Sequence, residues 1–236
     1  QAAVVGAGVS TADAPAYASH NDLGTAEILA AMARADCRKL VLASSMVVYG
    51  EGRYRCPVHG VVRPRPRNPS DLRNGVFDAK CPEGDEPVTW ETVGEDAPLE
   101  PRSLYAASKL AQENYALAWS LATGGSVTAL RYHNVYGDGM PRDTPYSGVA
   151  AMFRSSLEAG EPPTVYEDGG QMRDFVHVDD VARMNVLSID AVREAPTQSH
   201  AAYNVCSGEP VAILDVARRV AAGTGSGIEP VVTGQY

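Results

Sequence analysis

The run Lys39-Leu40-Val41-Leu42-Ala43-Ser44-Ser45 carries the most information about how this chain folds. Its apolar residues follow one another directly, whereas a strand with one face in water alternates apolar and polar residues. Immediately before it, the segment from Asn21 to Asp36 has its apolar residues at helical spacing. A helix that leads into a fully buried strand is typical of α/β proteins.

The same succession of helix and buried strand recurs further along the chain. The spacing predicts a helix over Ser103 to Ala122, and Ser126-Val127-Thr128-Ala129-Leu130-Arg131-Tyr132 has the pattern of the next buried strand. Parallel strands joined by helices predict a Rossmann-like, doubly wound parallel sheet, in which ligands bind beyond the carboxyl ends of the strands. Residues directly after Ala43 and after Leu130 are therefore candidates for ligand contacts.

Beyond Gly137 the sequence predicts the shorter elements of a smaller α/β lobe. Helices are expected near 147–159, 179–192 and 212–222, and strands near 164–166, 175–178 and 202–206. Asp179 is expected to cap the second of these helices. We expect a partial dinucleotide-binding domain at 1–137, interrupted by an irregular excursion at about 51–101, and a substrate lobe that makes up most of 138–236.

The excursion is rich in proline and carries a partial metal-ligand pattern. Cys56-Pro57-Val58-His59, followed later by Cys81, resembles part of a zinc knuckle. A closed structural site needs four good ligands, and near Gly84, where the fourth belongs, the sequence offers only the weak substitutes Glu83 and Asp85. We therefore expect no metal in this segment, with a zinc site as the alternative.

The overall charge argues against nucleic acid and against anionic membranes as partners. Lys and Arg number 20 and Asp and Glu number 29, which gives a formal net charge of −9. The basic run Arg63-Pro64-Arg65-Pro66-Arg67 has no interleaved aromatic residues and is expected to be a solvated loop. No apolar run reaches the roughly 18 residues needed to cross a bilayer. We expect a cytoplasmic protein.

Tyr105 and Lys109 stand four residues apart on one face of the predicted 103–122 helix. An ammonium beside a phenol stabilises the phenolate and lowers the pKa of the tyrosine, which suits a general base for a sugar hydroxyl. Ser44 and Ser45 emerge at the carboxyl end of the 39–43 strand, where a serine can bind the same substrate oxygen. The alternatives are a surface tyrosine–lysine pair and serines that only form a turn.

These residues belong to a longer series of motifs that together resemble one family. In chain order the motifs are Ala2-Ala3, Asn21-x-x-Gly24-Thr25, Ser44-Ser45 up to Tyr49-Gly50, Tyr105-x-x-x-Lys109, Arg131-Tyr132-His133-Asn134-Val135-Tyr136-Gly137 and Arg173-Asp174-Phe175-Val176-His177-Val178-x-Asp180. The series resembles the extended short-chain dehydrogenase/reductases of the NAD-dependent epimerase/dehydratase family. The nearest likeness is to nucleotide-sugar 4-epimerases of the UDP-glucose and dTDP-L-rhamnose kind.

The resemblance implies a role for each matched residue. Tyr105 would be the catalytic acid and base, Lys109 its partner and a ligand of the nicotinamide ribose, and Ser45 a second hydroxyl on the substrate oxygen. The residues that contact the cofactor would be Ala2, Ala3, Asn21, Ser44, Tyr105, Lys109 and Tyr132. Asn134 and Arg173 would hold the diphosphate of a nucleotide-diphosphate sugar, for which arginine offers paired donors.

Within this family the resemblance favours 4-epimerisation on bound NAD, with transient oxidation of the sugar at C4 and return of hydride to either face. A 4,6-dehydratase is disfavoured because Met46 and Val47, which stand where that branch has an Asp-Glu pair, cannot transfer protons. A nucleotide-sugar 4-ketoreductase, which consumes NADPH, and a non-catalytic dinucleotide-sensing protein stay as alternatives. NADP is not excluded, because the glycine-rich turn and the residue after it that select the cofactor are not in the sequence.

The resemblance also implies that the chain is a fragment without the N-terminal glycine-rich unit and without the C-terminus of its relatives. Expressed as written, the chain is then expected to hold NAD weakly or not at all. The full-length protein is expected to be a homodimer formed through the helices that start near Asn21 and Ser103.

Overall fold

The computed structural model describes residues 3–6, 10–140 and 148–236, which fall into two compact units. The first unit comprises Gln1–Gly50, Gly94–His133 and Val178–Val205, and the second comprises Glu51–Val93, Asn134–His177 and Cys206–Tyr236. The α-helices are α1 (Ala14–Tyr17), α2 (Gly24–Arg34), α3 (Pro69–Arg73), α4 (Leu104–Thr123), α5 (Val149–Glu158), α6 (Val178–Glu194) and α7 (Ile213–Thr224). The strands are β1 (Lys39–Ser45), β2 (Arg53–Cys56), β3 (Gly60–Val62), β4 (Thr89–Glu91), β5 (Ser126–Tyr132), β6 (Asn134–Tyr136), β7 (Thr164–Val165), β8 (Met172–Arg173), β9 (Phe175–His177), β10 (His200–Val205), β11 (Val211–Ala212) and β12 (Val231–Val232).

A parallel sheet forms the centre of the first unit, with its strands in the order β1-β5-β10. The central strand β5 spans the residues predicted for it and is buried along nearly its whole length. The register places Ser45 of β1 and Val205 of β10 on either side of Tyr132. This arrangement of parallel strands and connecting helices confirms the predicted Rossmann-like α/β fold class.

Helices α2 and α4 pack on this sheet around a core of Leu29, Ala116, Trp119 and Val127. The start of α4 is fixed by Ser103, whose Oγ accepts a hydrogen bond from the backbone N–H of Ala106 at 3.1 Å. The helix ends at Gly124, which adopts the left-handed conformation with φ of 77°. These two ends set the register of α4 and therefore place Tyr105 in its first turn.

The described residues of the second unit form four small sheets and the helices α3, α5 and α7. Strand β2 lies between β3 and β4 in an antiparallel sheet, while β6 pairs with β9, β7 with β12 and β8 with β11. Helices α5 and α7 pack together over a core formed by Phe153, Val165, Val216 and Ala217. The helix predicted from about Ser147 begins at Val149, and residue 147 itself lies outside the described residues.

The predicted irregular excursion at about 51–101 contains the short strands β2, β3 and β4 and the helix α3, so its first part is more regular than its sequence indicates. Its strands are only three or four residues long, too short to show a period, and charged side chains connect them. Arg53 and Arg55 of β2 both form ion pairs with Glu91 of β4. The carboxylate of Glu86 lies near the side chains of Cys56, His59 and Cys81 in this segment.

Helix α6 begins one residue earlier than its predicted cap. The strand β9 leads directly into the helix at Val178, so Asp179 lies in the first turn and is not the N-cap residue. Its carboxylate still lies near the positive end of the helix dipole. Within the described ranges, no helix combines the length and the apolar character that crossing a bilayer requires.

Candidate active site

The carboxyl ends of β1 and β5 bring three of the predicted site residues together. Ser44 and Ser45 are the last residues of β1, and Tyr132 at the end of β5 is the register partner of Ser45. Successive side chains of a strand point to opposite faces, so the two serines have different surroundings. Ser44 is buried and donates a hydrogen bond to the Glu113 carboxylate, whereas Ser45 contacts Tyr105.

The side chain of Ser45 lies close enough to the Tyr105 hydroxyl to lower its pKa. The Tyr105 ring also lies beside Tyr17, with 6.0 Å between the ring centroids. Burial raises the pKa of Tyr105, the neighbouring Ser45 side chain lowers it in part, and the nearby Tyr17 raises it further. The sequence predicted a lowered pKa for Tyr105, and this direction is corrected, because burial raises the pKa.

Lys109 lies one helical turn after Tyr105 on α4, and its side chain is buried. Its Nζ donates to the carbonyl oxygen of Ala43 at 3.0 Å, so the ammonium lies at the end of β1. Burial lowers the pKa of Lys109 to about 8, and the negative charge of Glu113 opposes that shift. An ammonium has three N–H donors, so the bond to Ala43 does not exhaust what Lys109 can offer a ligand.

We expect Lys109 to make the free energy of unfolding rise with pH between about 8 and 10.5. In this range the unfolded chain still binds a proton that the folded chain has lost. Below it both states are protonated and the folded state carries the full cost of a buried charge, roughly 3 kcal/mol. Denaturant unfolding should therefore show that the free energy of unfolding of the wild type rises across this pH range relative to that of Lys109→Met, because Met does not titrate. Parallel pH profiles for the two proteins would contradict the assignment.

Asn21 is fully buried and connects the start of the chain to α4. Its Oδ1 accepts from the Val4 N–H at 2.8 Å, and its Nδ2 donates to the Val4 carbonyl and to Ser108 Oγ, each at 2.9 Å. The amide thus holds residues 3–6 against the helix that carries Tyr105. Ala3 is half-buried within this segment, and Ala2 lies outside the described residues.

A buried ionic network next to Ser44 was not found from the sequence. Arg131 of β5 and Glu113 of α4 are each about 4% exposed and form a bidentate pair, with Nε to Oε1 at 3.1 Å and Nη2 to Oε2 at 2.8 Å. Arg131 Nη1 also donates to Tyr49 Oη at 2.8 Å, and that hydroxyl donates to Asn204 Oδ1 at 2.8 Å. The network therefore joins the ends of all three strands of the parallel sheet to α4.

One signal for this network was present in the sequence. Glu113 follows Lys109 by four residues, so the two share a helix face. The Arg131-Tyr132 pair marks the end of the buried strand, where a cation needs a carboxylate partner. A search for an acidic partner of Arg131 on that helix face would have selected Glu113.

The predicted diphosphate-binding residues Asn134 and Arg173 both belong to the second unit. The backbone N–H and the Nδ2 of Asn134 donate to the carbonyl oxygen of Asp174, at 3.1 and 2.9 Å. The Asp174 carboxylate accepts bonds from the N–H and Oγ of Ser207 at 2.7 and 2.9 Å. The Arg173 side chain is exposed, and its Nη1 donates to the Met172 carbonyl at 2.7 Å. Asn134 is thus hydrogen-bonded to Asp174, the residue that follows Arg173 with its exposed guanidinium.

Comparison with known proteins shows the family of this chain. The profile of the NAD dependent epimerase/dehydratase family matches residues 79–206, and the chain belongs to this family. A dTDP-L-rhamnose 4-epimerase of Burkholderia thailandensis is 34% identical over 239 residues, which cover 100% of this chain and 62% of that protein.

Solved structures of nucleotide-sugar 4-epimerases have a similar fold. A UDP-N-acetylglucosamine 4-epimerase of Methanobrevibacter ruminantium, in complex with UDP-N-acetylmuramic acid, superposes with a TM-score of 0.76 at 25% identity, over 100% of this chain and 63% of that one. The UDP-glucose 4-epimerase of Thermus thermophilus, in complex with NAD, superposes with a TM-score of 0.68 at 30% identity, over 99% and 62%. The chain thus spans less than two thirds of the length of these relatives.

Proposed function

We propose that this protein is a nucleotide-sugar 4-epimerase, which oxidises C4 of the sugar transiently and returns the hydride to either face. The observation that carries the proposal is the position of Ser45 of β1 beside Tyr105 of α4, at the carboxyl end of a parallel sheet. Two neighbouring hydroxyls can hold one substrate oxygen and transfer its proton. The relatives named above are 4-epimerases of three different nucleotide sugars, which supports this reaction class.

The donor groups at this end of the sheet fit a nicotinamide dinucleotide. We assign the ribose contacts to Tyr105 and Lys109, which share a face of α4. Further contacts are assigned to Ala2, Ala3, Asn21, Ser44 and Tyr132. The family description and the Thermus complex both name NAD, which favours it over NADP.

The chain's own residues handle the proton and the orientation of the sugar. When bound, NAD supplies the exchange of hydride with C4, which no protein side chain provides. Tyr105 Oη takes the proton from the 4-hydroxyl and later returns it, while Ser45 Oγ holds the same oxygen. Because burial raises the pKa of Tyr105, its phenolate needs a nearby positive charge. Lys109, with a pKa of about 8, is protonated at neutral pH and is placed one turn away to supply that charge.

We further propose that residues 1–137 bind the dinucleotide and that most of 138–236 forms a lobe that binds the substrate. The exposed guanidinium of Arg173 suits a diphosphate, because its planar fork of donors matches two phosphate oxygens. Asn134, bonded to the Asp174 carbonyl, is the second residue assigned to the nucleotide sugar. Cytoplasmic location stays a prediction.

Turnover of UDP-, dTDP- and GDP-sugars by the full-length protein tests the proposed reaction. A 4-epimerase interconverts the C4 epimers with no net change in the absorbance of reduced nicotinamide. A 4-ketoreductase would instead consume reduced cofactor in proportion to product. Clear cofactor binding with no turnover of any of these sugars would favour a sensing protein and overturn the proposal.

We also propose that the full-length protein is a homodimer formed through α2 and α4. Ile28 of α2 and Leu117 and Leu121 of α4 are 56%, 38% and 59% exposed, although solvent-facing helix surfaces are mostly polar. Replacing Leu117 and Leu121 by Glu is expected to give a monomer in light scattering. The control Arg218→Glu changes an exposed polar residue of α7 and should leave the dimer intact. A monomeric wild type at micromolar concentration would contradict the proposal.

A further inference from the structure

Four potential metal ligands of the second unit converge on one point. They are Cys56 and His59, which flank the turn between β2 and β3, and Cys81 and Glu86, which flank a second turn further along the chain. Their ligand atoms all lie within 4.8 Å of one another. The His59 Nδ1 is 3.5 Å from Cys56 Sγ and 3.3 Å from Cys81 Sγ, and Glu86 Oε2 is 3.8 Å from Cys56 Sγ and 3.7 Å from His59 Nδ1.

These distances match the edges of a tetrahedron around zinc. Metal–sulfur bonds of about 2.3 Å and metal–nitrogen or metal–oxygen bonds of about 2.0 Å, at tetrahedral angles, place neighbouring ligand atoms about 3.3 to 3.8 Å apart. Ordinary packing gives no reason for two thiols, an imidazole and a carboxylate to share so small a volume.

The backbone around the cluster is folded as a ligand-bearing knuckle. The N–H of Val58 donates to Cys56 Sγ at 3.4 Å, a bond that stabilises a thiolate. The second turn is closed by bonds from the Cys81 N–H to the Glu86 carbonyl at 2.9 Å and from the Asp85 N–H to the Cys81 carbonyl at 3.0 Å. Asp85 adopts φ of 63°, which lets the turn bring Glu86 back toward Cys81.

The fourth ligand was missed from the sequence because it does not lie at the usual spacing. A side chain at position 84 would point into the cluster, since a Cβ built on Gly84 would lie 2.5 and 2.6 Å from the two Glu86 carboxylate oxygens. The Glu86 carboxylate thus fills the space that a ligand at position 84 would use. Neither Glu83 nor Asp85, the substitutes suggested by the sequence, belongs to the cluster.

We propose that Cys56, His59, Cys81 and Glu86 bind one structural zinc ion. Two thiolates and an imidazole favour zinc over magnesium or calcium, and four protein ligands close the site to substrate. Cys56 and Cys81 are also the buried centre of a small core with Val62, against which Tyr54 and Val88 pack. So small a core stabilises the 51–93 segment weakly, and the metal joins its two turns where apolar contacts are few.

Metal analysis of the purified full-length protein, with its thiols kept reduced, tests the proposal. We expect one zinc ion per chain, released by a chelator and replaceable by Co²⁺ with the thiolate-to-cobalt absorption of a tetrahedral site. Cys56→Ser should abolish this absorption, while the control Cys37→Ser, which removes an exposed thiol outside the cluster, should keep it. A wild type that contains no zinc and binds no Co²⁺ through thiolate would overturn the proposal.

The role of Glu86 is tested separately by variants that leave both cysteines in place. Glu86→Ala should weaken zinc binding by roughly tenfold or more, and the control Glu83→Ala should not change it. Adding Gly84→Cys to Glu86→Ala should restore tight binding, because the new thiolate enters the space the carboxylate has left. If Glu86→Ala binds zinc as tightly as the wild type, Glu86 is not a ligand. A double variant no tighter than Glu86→Ala would contradict the geometry proposed for position 84.

Discussion

Replacing Tyr105 by Phe in the full-length protein is expected to lower kcat for C4 epimerisation by about 100-fold or more. The change removes only the hydroxyl that lies beside Ser45, so the fold and the ring contact with Tyr17 should persist. The proton of the 4-hydroxyl then has no acceptor in reach. Because the ring stays in place, NAD and the nucleotide sugar should still bind with nearly unchanged affinity.

Tyr115 provides a matched control for this experiment. It lies on the same helix but is 46% exposed, so Tyr115→Phe should leave kcat unchanged. The measurement is steady-state epimerisation for both variants, with calorimetric titration of NAD to confirm that binding survives. A Tyr105→Phe protein that epimerises at the wild-type rate would remove Tyr105 from the mechanism.

Replacing Arg131 by Met is expected to destabilise the protein by about 3 to 5 kcal/mol. The substitution leaves the Glu113 carboxylate buried without the two bonds that Arg131 donates to it. It also removes the donor to Tyr49 Oη, so the ends of the strands lose a shared contact. The matched control is Arg154→Met on α5, which breaks an exposed pair with Glu158 and should cost no more than about 0.5 kcal/mol.

The double variant Glu113→Gln/Arg131→Met separates the charge from the packing. A neutral amide at position 113 has a smaller desolvation cost than a carboxylate, so the double variant should be more stable than Arg131→Met alone. Denaturant unfolding of the wild type, the two single variants and the double variant gives the coupling energy. Strictly additive losses would contradict the view that an unpaired buried charge causes the instability.

The parallel sheet and α4 could be predicted from sequence because local patterns determine them. Strand β5 is apolar along most of its length and buried on both faces, and Ser103 and Gly124 mark the two ends of α4. The contact between Tyr105 and Ser45 followed from the same reasoning, since a helix face and a strand end were placed at one edge of a sheet.

The direction of the Tyr105 pKa could not be predicted in this way. Residue spacing shows which groups share a face, but it does not show how deeply they are buried. In the structure burial outweighs the other effects on Tyr105, and Lys109 donates to the Ala43 carbonyl. The proposed ligand Glu86 was missed for a related reason, because a turn of unusual backbone conformation brings it to Cys56.

The most direct test of the proposed 4-epimerase is the fate of the hydrogen at C4 of the sugar. The full-length protein is incubated with NAD and a UDP-hexose that carries deuterium at C4, and the product is examined by NMR. The account predicts that the C4 epimer forms with its deuterium still on C4 and with no net change in reduced nicotinamide. Formation of the epimer with loss of the deuterium to solvent, or formation of a reduced product with consumption of cofactor, would contradict it.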